Sequence, residues 1–171
     1  MNADNKRVAV APGSADGSPP QLEALVAGHA FVQGMSARHL QVLTEAAMLS
    51  HFETGELIFR EGDPANRFYL IQQGKVALES EKRGQKPVLI QTLGAGEVLG
   101  WSWLFPPYYW HFSARALEPT RAIFFYGTRL REQSEEDPVL GYELLKRMSH
   151  IVIQRLQATR RRLLELAAKN G

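Results

Sequence analysis

Between Gly55 and Thr128 the chain breaks into short runs of β-branched, aromatic and aliphatic residues, punctuated by Gly55, Gly62, Gly74, Gly84, Gly94 and Gly96. Turn residues that return about every ten positions are the signature of an antiparallel barrel or sandwich. Strands are expected at Leu57–Arg60, Phe68–Gln72, Lys75–Glu81, Val88–Leu93, Ser113–Ala116 and Ala122–Tyr126. Lys82-Arg83-Gly84-Gln85 fits a hairpin loop, because glycine takes the positive φ that such turns require. In Glu61-Gly62-Asp63-Pro64, proline presets the backbone angle of a further turn.

On both sides of this β region the apolar period becomes helical. From Gln21 to Phe52, the positions Leu22, Leu25, Val26 and then Leu40, Leu43, Ala46 and Ala47 recur at helical spacing, with Ser36 placed as an N-cap. After Asp137-Pro138 the helical period returns and holds to about Lys169. Proline suits the first helical position, and Glu135, Glu136 and Asp137 suit the positive end of the helix dipole. Met148, Val152, Leu156, Thr159, Leu163 and Leu166 form a stripe one helix face wide, able to bury against the barrel or pair with a second copy. Residues 1–20 are rich in Ala, Gly, Ser, Asn, Asp and Pro and read as a disordered tail. The expected organisation is therefore a tail over 1–20, a helical lead-in with a β domain over 21–137, and a C-terminal helix over 138–171.

Composition removes several function classes. At 171 residues, 44% hydrophobic and 22% charged, the chain is one globular domain with a sizeable core. No apolar run approaches the roughly 18 residues of a membrane span, and no signal pattern opens the sequence, so a cytoplasmic protein without membrane contact is expected. The absence of cysteine excludes disulfides and thiolate metal sites. His29, His39, His51, His111 and His150 include no pair at zinc-like spacing, so no metal site is expected. The net charge of +2 is too balanced to imply a polyanion partner, and Arg160-Arg161-Arg162 with Lys146, Arg147 and Arg155 reads as a solvated helix face.

The sharpest motif is Gly96-Glu97-Val98-Leu99-Gly100-Trp101-Ser102-Trp103-Leu104, followed by Phe112-Ser113-Ala114. Together with Gly55-Glu56-x-Ile58-x-x-Glu61-Gly62-Asp63 and Phe68-Tyr69-Leu70-Ile71-x-x-Gly74-x-Val76, it resembles the cyclic-nucleotide-binding domain of catabolite-activator and Fnr-type regulators and of cyclic-nucleotide-regulated kinases and channels. The resemblance covers nearly everything from Phe31 to Leu166. It implies a mainly β fold: an antiparallel β jelly roll with N-terminal helices and a long final helix that closes the pocket and often makes the dimer. By resemblance the pocket comprises Gly96, Glu97, Gly100, Trp101, Ser102, Trp103, Phe112, Ser113, Ala114, Thr159 and Arg160, with Thr159 at a base-contacting position and Arg160 placed to reach a partner copy's pocket.

The chemistry of that pocket is changed in this chain. A cyclic phosphodiester needs backbone N–H groups at a glycine-permitted turn plus an arginine, and a ribose hydroxyl needs an acceptor. The family's glutamate position is Trp101 and its arginine position is Phe112; indole offers only a donor, and a phenyl ring offers neither charge nor hydrogen bond. Losing one member of a buried charged pair costs about 2–5 kcal/mol, roughly thirtyfold or more in affinity. Strand alternation points Arg115 away from Phe112, so it does not replace the missing arginine. By resemblance Glu97 is mainly a scaffold of the turn, and His111 beside Phe112 is a candidate for a proton-dependent charge.

Aromatic rings fill the same segment. Trp101, Trp103, Phe105, Tyr108, Tyr109, Trp110 and Phe112 are seven of the chain's 16 aromatic residues, and they include every tryptophan. This enrichment leaves three ligand states open: rings that plug the pocket, a flat apolar small molecule held by stacking, or a cyclic nucleotide held by backbone N–H groups alone. No cofactor is fixed by the residues. No nucleophile–base pair is present, so an enzyme is not expected. Activator-type relatives continue into a helix-turn-helix domain whereas this sequence ends at Gly171, so direct DNA binding is not expected either. The function expected is that of a stand-alone regulatory module, a homodimer through its C-terminal helix, which senses a small molecule and signals to a partner protein. The alternative is a ligandless interaction scaffold.

Overall fold

Among the described residues eight strands pair into two four-stranded antiparallel sheets. A computed structural model of the chain describes residues 19–80 and 86–169, so the hairpin loop expected at 82–85 and most of the 1–20 tail lie outside the described residues. The strands are β1 (Ala47–Phe52), β2 (Leu57–Phe59), β3 (Arg67–Gln73), β4 (Lys75–Ser80), β5 (Val88–Gly94), β6 (Val98–Leu99), β7 (Ser113–Ala116) and β8 (Thr120–Tyr126). One sheet runs β1-β8-β3-β6 and the other β2-β7-β4-β5, the antiparallel sandwich that the glycine spacing leads to expect and the jelly roll that the family resemblance implies. Helices α1 (Pro19–Ala27) and α2 (Ala37–Glu45) precede the strands, and α3 (Gly127–Glu136) and α4 (Pro138–Lys169) follow them.

The period-2 geometry of β3 and β8 divides the interior in two. Phe68 and Leu70, with Ile123 and Phe125, face the helices and meet Val26, Leu43, Leu140 and Leu144. Tyr69 and Ile71 face the other way, into the jelly roll, against Val76, Leu93, Leu99 and Ala114. A strand buried on both faces reads as a nearly continuous apolar run, which is how Phe68-Tyr69-Leu70-Ile71 reads.

The helix start expected at Ser36 is capped as read, and α4 gains a cap at Asp137. The Ser36 Oγ accepts from the His39 N–H at 3.2 Å. Asp137 Oδ1 accepts from the N–H groups of Val139 and Leu140 at 3.1 and 3.3 Å, and so caps α4. These bonds, the Leu140 N–H foremost, then His39 and Arg38, hold the Asp137 carboxyl below its ordinary value.

Three elements differ from the sequence expectation. Ala47–Phe52, read as the end of a helical lead-in, is β1, held in register with β8 from Ala47 opposite Phe125 to Phe52 opposite Thr120. Six consecutive pairings outweigh a local apolar spacing that also suits a helix. Residues 127–136, assigned no element, form α3, whose sequence GTRLREQSEE carries one buried leucine, Leu130, and little periodic signal. The two-residue β6 is too short to read without its partner β3.

Candidate functional site

The cassette opens with a turn that consumes its own donors. Gly96 has φ +83°, the left-handed conformation in which glycine is strain-free. Its N–H donates to the Ile71 carbonyl at 2.8 Å, and the Glu97 N–H donates to the Gly94 carbonyl at 3.2 Å. The Glu97 carboxylate folds back on the turn, where Oε2 accepts from the Gly94 N–H at 2.7 Å. Glu97 thus supports the turn, as the sequence suggests.

Gly100 also has positive φ, +89°, and a Cβ there would sit 2.8 Å from the Trp110 ring. Trp110 is held across this gap by backbone bonds to the 60–64 turn: the Gly62 N–H donates to its carbonyl, and its own N–H donates to the Asp63 carbonyl, both at 2.9 Å. Its ring stacks on Phe59 with centroids 3.8 Å apart. Glycine at 100 is therefore required by backbone conformation and by the tryptophan packed over it.

The short 3-10 turn Ser102–Leu104 sends its neighbouring tryptophans in different directions. Trp101 is half-buried and stacks on His111, centroids 4.6 Å apart, while Ser102 Oγ lies 2.9 Å from His111 Nδ1. Trp103 is fully buried in the helical core and stacks on Phe68 at 5.1 Å. Phe112 is half-buried against the jelly-roll core, and Ser113 and Ala114 are fully buried. Ser113 Oγ accepts from the Glu61 N–H at 3.0 Å. Arg115 is bound elsewhere, to Glu79 at 3.3 Å and to the Gly55 carbonyl at 3.0 Å. It does not stand in for a charge at Phe112.

One cation that the resemblance does not assign enters the site from α4. Arg155 is 7% exposed and donates through Nη2 to the Val98 carbonyl at 2.8 Å, with Nη1 3.5 Å from Glu97 Oε1. Burial pulls its pKa down, against the opposing pull of Glu97. This corrects the reading of Arg155 as part of a solvated helix face: Leu140, Leu144 and Met148 are buried at intervals of four, and Arg155 lies seven residues further, two turns along the same face. An arginine on the apolar period needs a buried partner, and here the Val98 carbonyl is that partner.

Phe59, Gly100, Trp101, Trp110, Phe112 and Arg155 enclose a cavity of about 10 Å³. A space of that size holds about one water molecule. Gly100, Trp101, Ser102 and Phe112 are thus brought together around it, whereas Trp103 belongs to the helical core and Thr159 and Arg160 are exposed on α4 beyond it. As arranged, these residues do not fit a cyclic nucleotide: the cavity is too small, the Gly96 N–H is already used, and Phe112 carries no charge. Among the described residues no group of three or more histidine or carboxylate side chains is placed to hold a metal, and no helix is long and apolar enough to cross a membrane.

Comparison with known proteins places this geometry. Residues 49–137 match the family model of the cyclic nucleotide-binding domain. The CRP-like cAMP-activated global transcriptional regulator of Mycobacterium tuberculosis is 25% identical over 145 residues, 85% of this chain and 63% of the relative. The chain thus spans less than two thirds of the curated relatives it matches. A Geobacter metallireducens GS-15 protein described as cyclic nucleotide-binding superposes with a TM-score of 0.70 at 29% identity, over 81% of this chain and 98% of that one. A cyclic nucleotide-binding domain from Methylobacillus flagellatus KT superposes with a TM-score of 0.71 at 20% identity, over 88% and 86% of the two chains.

Proposed function

The chain belongs to the cyclic nucleotide-binding domain family, and from that premise we propose that it is a dimeric, cytoplasmic regulatory module that takes a small flat anion at its altered cassette and signals to a partner protein through α4. The observation that carries this reading is Arg155, a cation of α4 buried against the cassette. An anion that competes for Arg155 draws it from the Val98 carbonyl, and the helix backbone at 155 must adjust with it. The ligand has to replace a hydrogen bond from a charged donor, worth about 1.5–3 kcal/mol. The Glu97 pair is a weaker competitor, being 3.5 Å long with a carboxylate 42% exposed. Coupling follows because the ligand binds one arrangement of α4 better than the other.

Stacking supplies the preference for a flat ligand. Trp101 already accepts the His111 ring on its face, and a ligand ring can take that place while widening the cavity. On the last turns of α4, Ile153, Leu156, Leu163 and Leu164 are 52–67% exposed, which supports a helix-to-helix dimer seam. In sedimentation, Leu156→Arg is expected to halve the mass of the particle; an unchanged mass contradicts the seam.

A second reading, a ligandless scaffold, is favoured by the 10 Å³ cavity and the Phe59–Trp110 stack. Mass spectrometry of protein purified without added nucleotide, with melting curves against cyclic nucleotides and flat aromatic acids, separates the two. The sensor reading expects a co-purified anion or a saturable rise in Tm that is lost in Arg155→Met. No released molecule and no shift across the panel favours the scaffold.

A further inference from the structure

Arg155 is shared between two very different spaces. On one side is the closed cassette cavity; on the other, the outer face of the same turn borders a groove of about 700 Å³. One wall of that groove is α4, which presents Lys146, Arg147, His150 and Arg155. The opposite wall is the 3-10 turn Ala30–Val32 with His29 before it, and Gly96–Val98 closes the end. A groove of this volume lies within the range of small-molecule sites.

Its charge is one-sided. Three permanent cations line it against one carboxylate, Glu97, which is already held by the Gly94 N–H and faces Arg155. Glu143 lies just outside, paired with Lys146 at 2.7 Å and Arg147 at 3.3 Å. Lys146 is 55% exposed and turns inward only by giving up Glu143, and His150 is exposed, held at Nε2 by Gln154 at 3.0 Å. Phe31 and Ile151 add apolar surface between the cations.

The walls also hold unmatched donors. Among the described residues four buried side-chain polar atoms lack a partner, and two of them belong to this lining: His29 Nε2 and Arg147 Nε. The Phe31 N–H donates to His29 Nδ1 at 3.1 Å, so Nδ1 is the acceptor and Nε2 carries the proton. Both orphans are therefore donors.

We propose that this groove is a binding site for a small organic phosphomonoester, its phosphate held by Lys146 and His150 beside the positive charge of Arg147, whose guanidinium is bound to the Phe31 and Gln33 carbonyls, and its body laid along Phe31 and Ile151. The site is separate from the cassette cavity and does not depend on a ligand entering there. Because Arg155 lines both spaces, occupancy of the groove bears on the residue that ties α4 to the cassette.

The test is an NMR titration of the full chain with 5′-AMP, with adenosine and inorganic phosphate as the two half-ligands. Saturable shifts are expected at the amides of Ala30, Phe31 and Ile151, with 5′-AMP binding at least tenfold tighter than either half. Lys146→Glu and His150→Glu, both exposed substitutions, are each expected to weaken 5′-AMP by about tenfold or more, with unchanged melting in the absence of ligand. Shifts confined to the Trp101 indole and Phe112 overturn the groove site and leave the cassette reading standing. No saturable shift, or affinity indifferent to both substitutions, overturns it as well.

Discussion

Trp101 and Trp103 stand two residues apart in one aromatic-rich segment and both touch the helical core, yet only Trp103 is sealed inside it. Trp103 is fully buried between α3 and β3 and stacks on Phe68, so it is part of what holds the helices to the sheet. Trp101 is half-buried at the mouth of a 10 Å³ cavity, with His111 on one face and Phe105 at its edge. Aromatic enrichment alone does not mark a ligand site. What separates core from site is whether the ring's neighbours are other core residues or a cation and a gap.

Chemical denaturation breaks or sharpens that comparison most strongly. Trp103→Ala is expected to cost about 3–5 kcal/mol, the range for large-to-small changes in a packed core. Trp101→Ala is expected to cost about 1 kcal/mol, as for an ordinary partly exposed position. Equal losses in the two variants would remove the distinction between them.

Arg155→Met comes next in size. It leaves the Val98 carbonyl buried without its donor, a loss of about 1–3 kcal/mol, partly recovered by the apolar side chain that replaces the charge. A loss as large as that of Trp103→Ala would make Arg155 a core residue rather than a link between cassette and helix.

Acidification gives the smallest effect, in two steps. Burial holds the His29 pKa below its ordinary 6.5. The unfolded chain therefore binds the proton first as the pH falls through 6.5, and stability declines from there down to the lower folded value. Asp137, held below 3.8, contributes stability that is full above that value and is lost as the pH falls through its folded pKa. Tm measured between pH 8 and pH 3 is expected to fall on acidification. His29→Asn keeps an acceptor for the Phe31 N–H and should flatten the upper step, and Asp137→Asn keeps a cap and should flatten the lower one. An unchanged slope in both variants would assign the acid response to other groups.

Much of this architecture was legible because local rules and tertiary contacts agree. Phe68–Gln72, Ser113–Ala116 and Ala122–Tyr126 read as short apolar and β-branched runs and are strands, and Ser36 is a cap in sequence and in structure, while Asp137, read as suiting the helix dipole, also caps α4. β1 was hidden because Ala46 and Ala47 continue the helical spacing while the strand is fixed by its pairing with β8. The changed chemistry at Trp101 and Phe112 was visible in the motif. The cation that reaches the cassette sits on the buried face of α4, but its partner was not readable, because Arg155 lies 54 positions beyond Trp101 and meets Val98 only when α4 folds back. The outer groove was likewise unreadable, since its walls come from three segments that only the fold brings together.

The claim that the cassette and α4 act as one unit through Arg155 is tested most directly by hydrogen–deuterium exchange of the unliganded protein, comparing wild type with Arg155→Met and with the exposed-site variant Arg162→Met. The account predicts faster exchange in Arg155→Met at two places at once, the 96–101 amides of the cassette and the 150–160 amides of α4, with Arg162→Met matching wild type at the cassette. Faster exchange in α4 alone, with 96–101 unchanged, would contradict it.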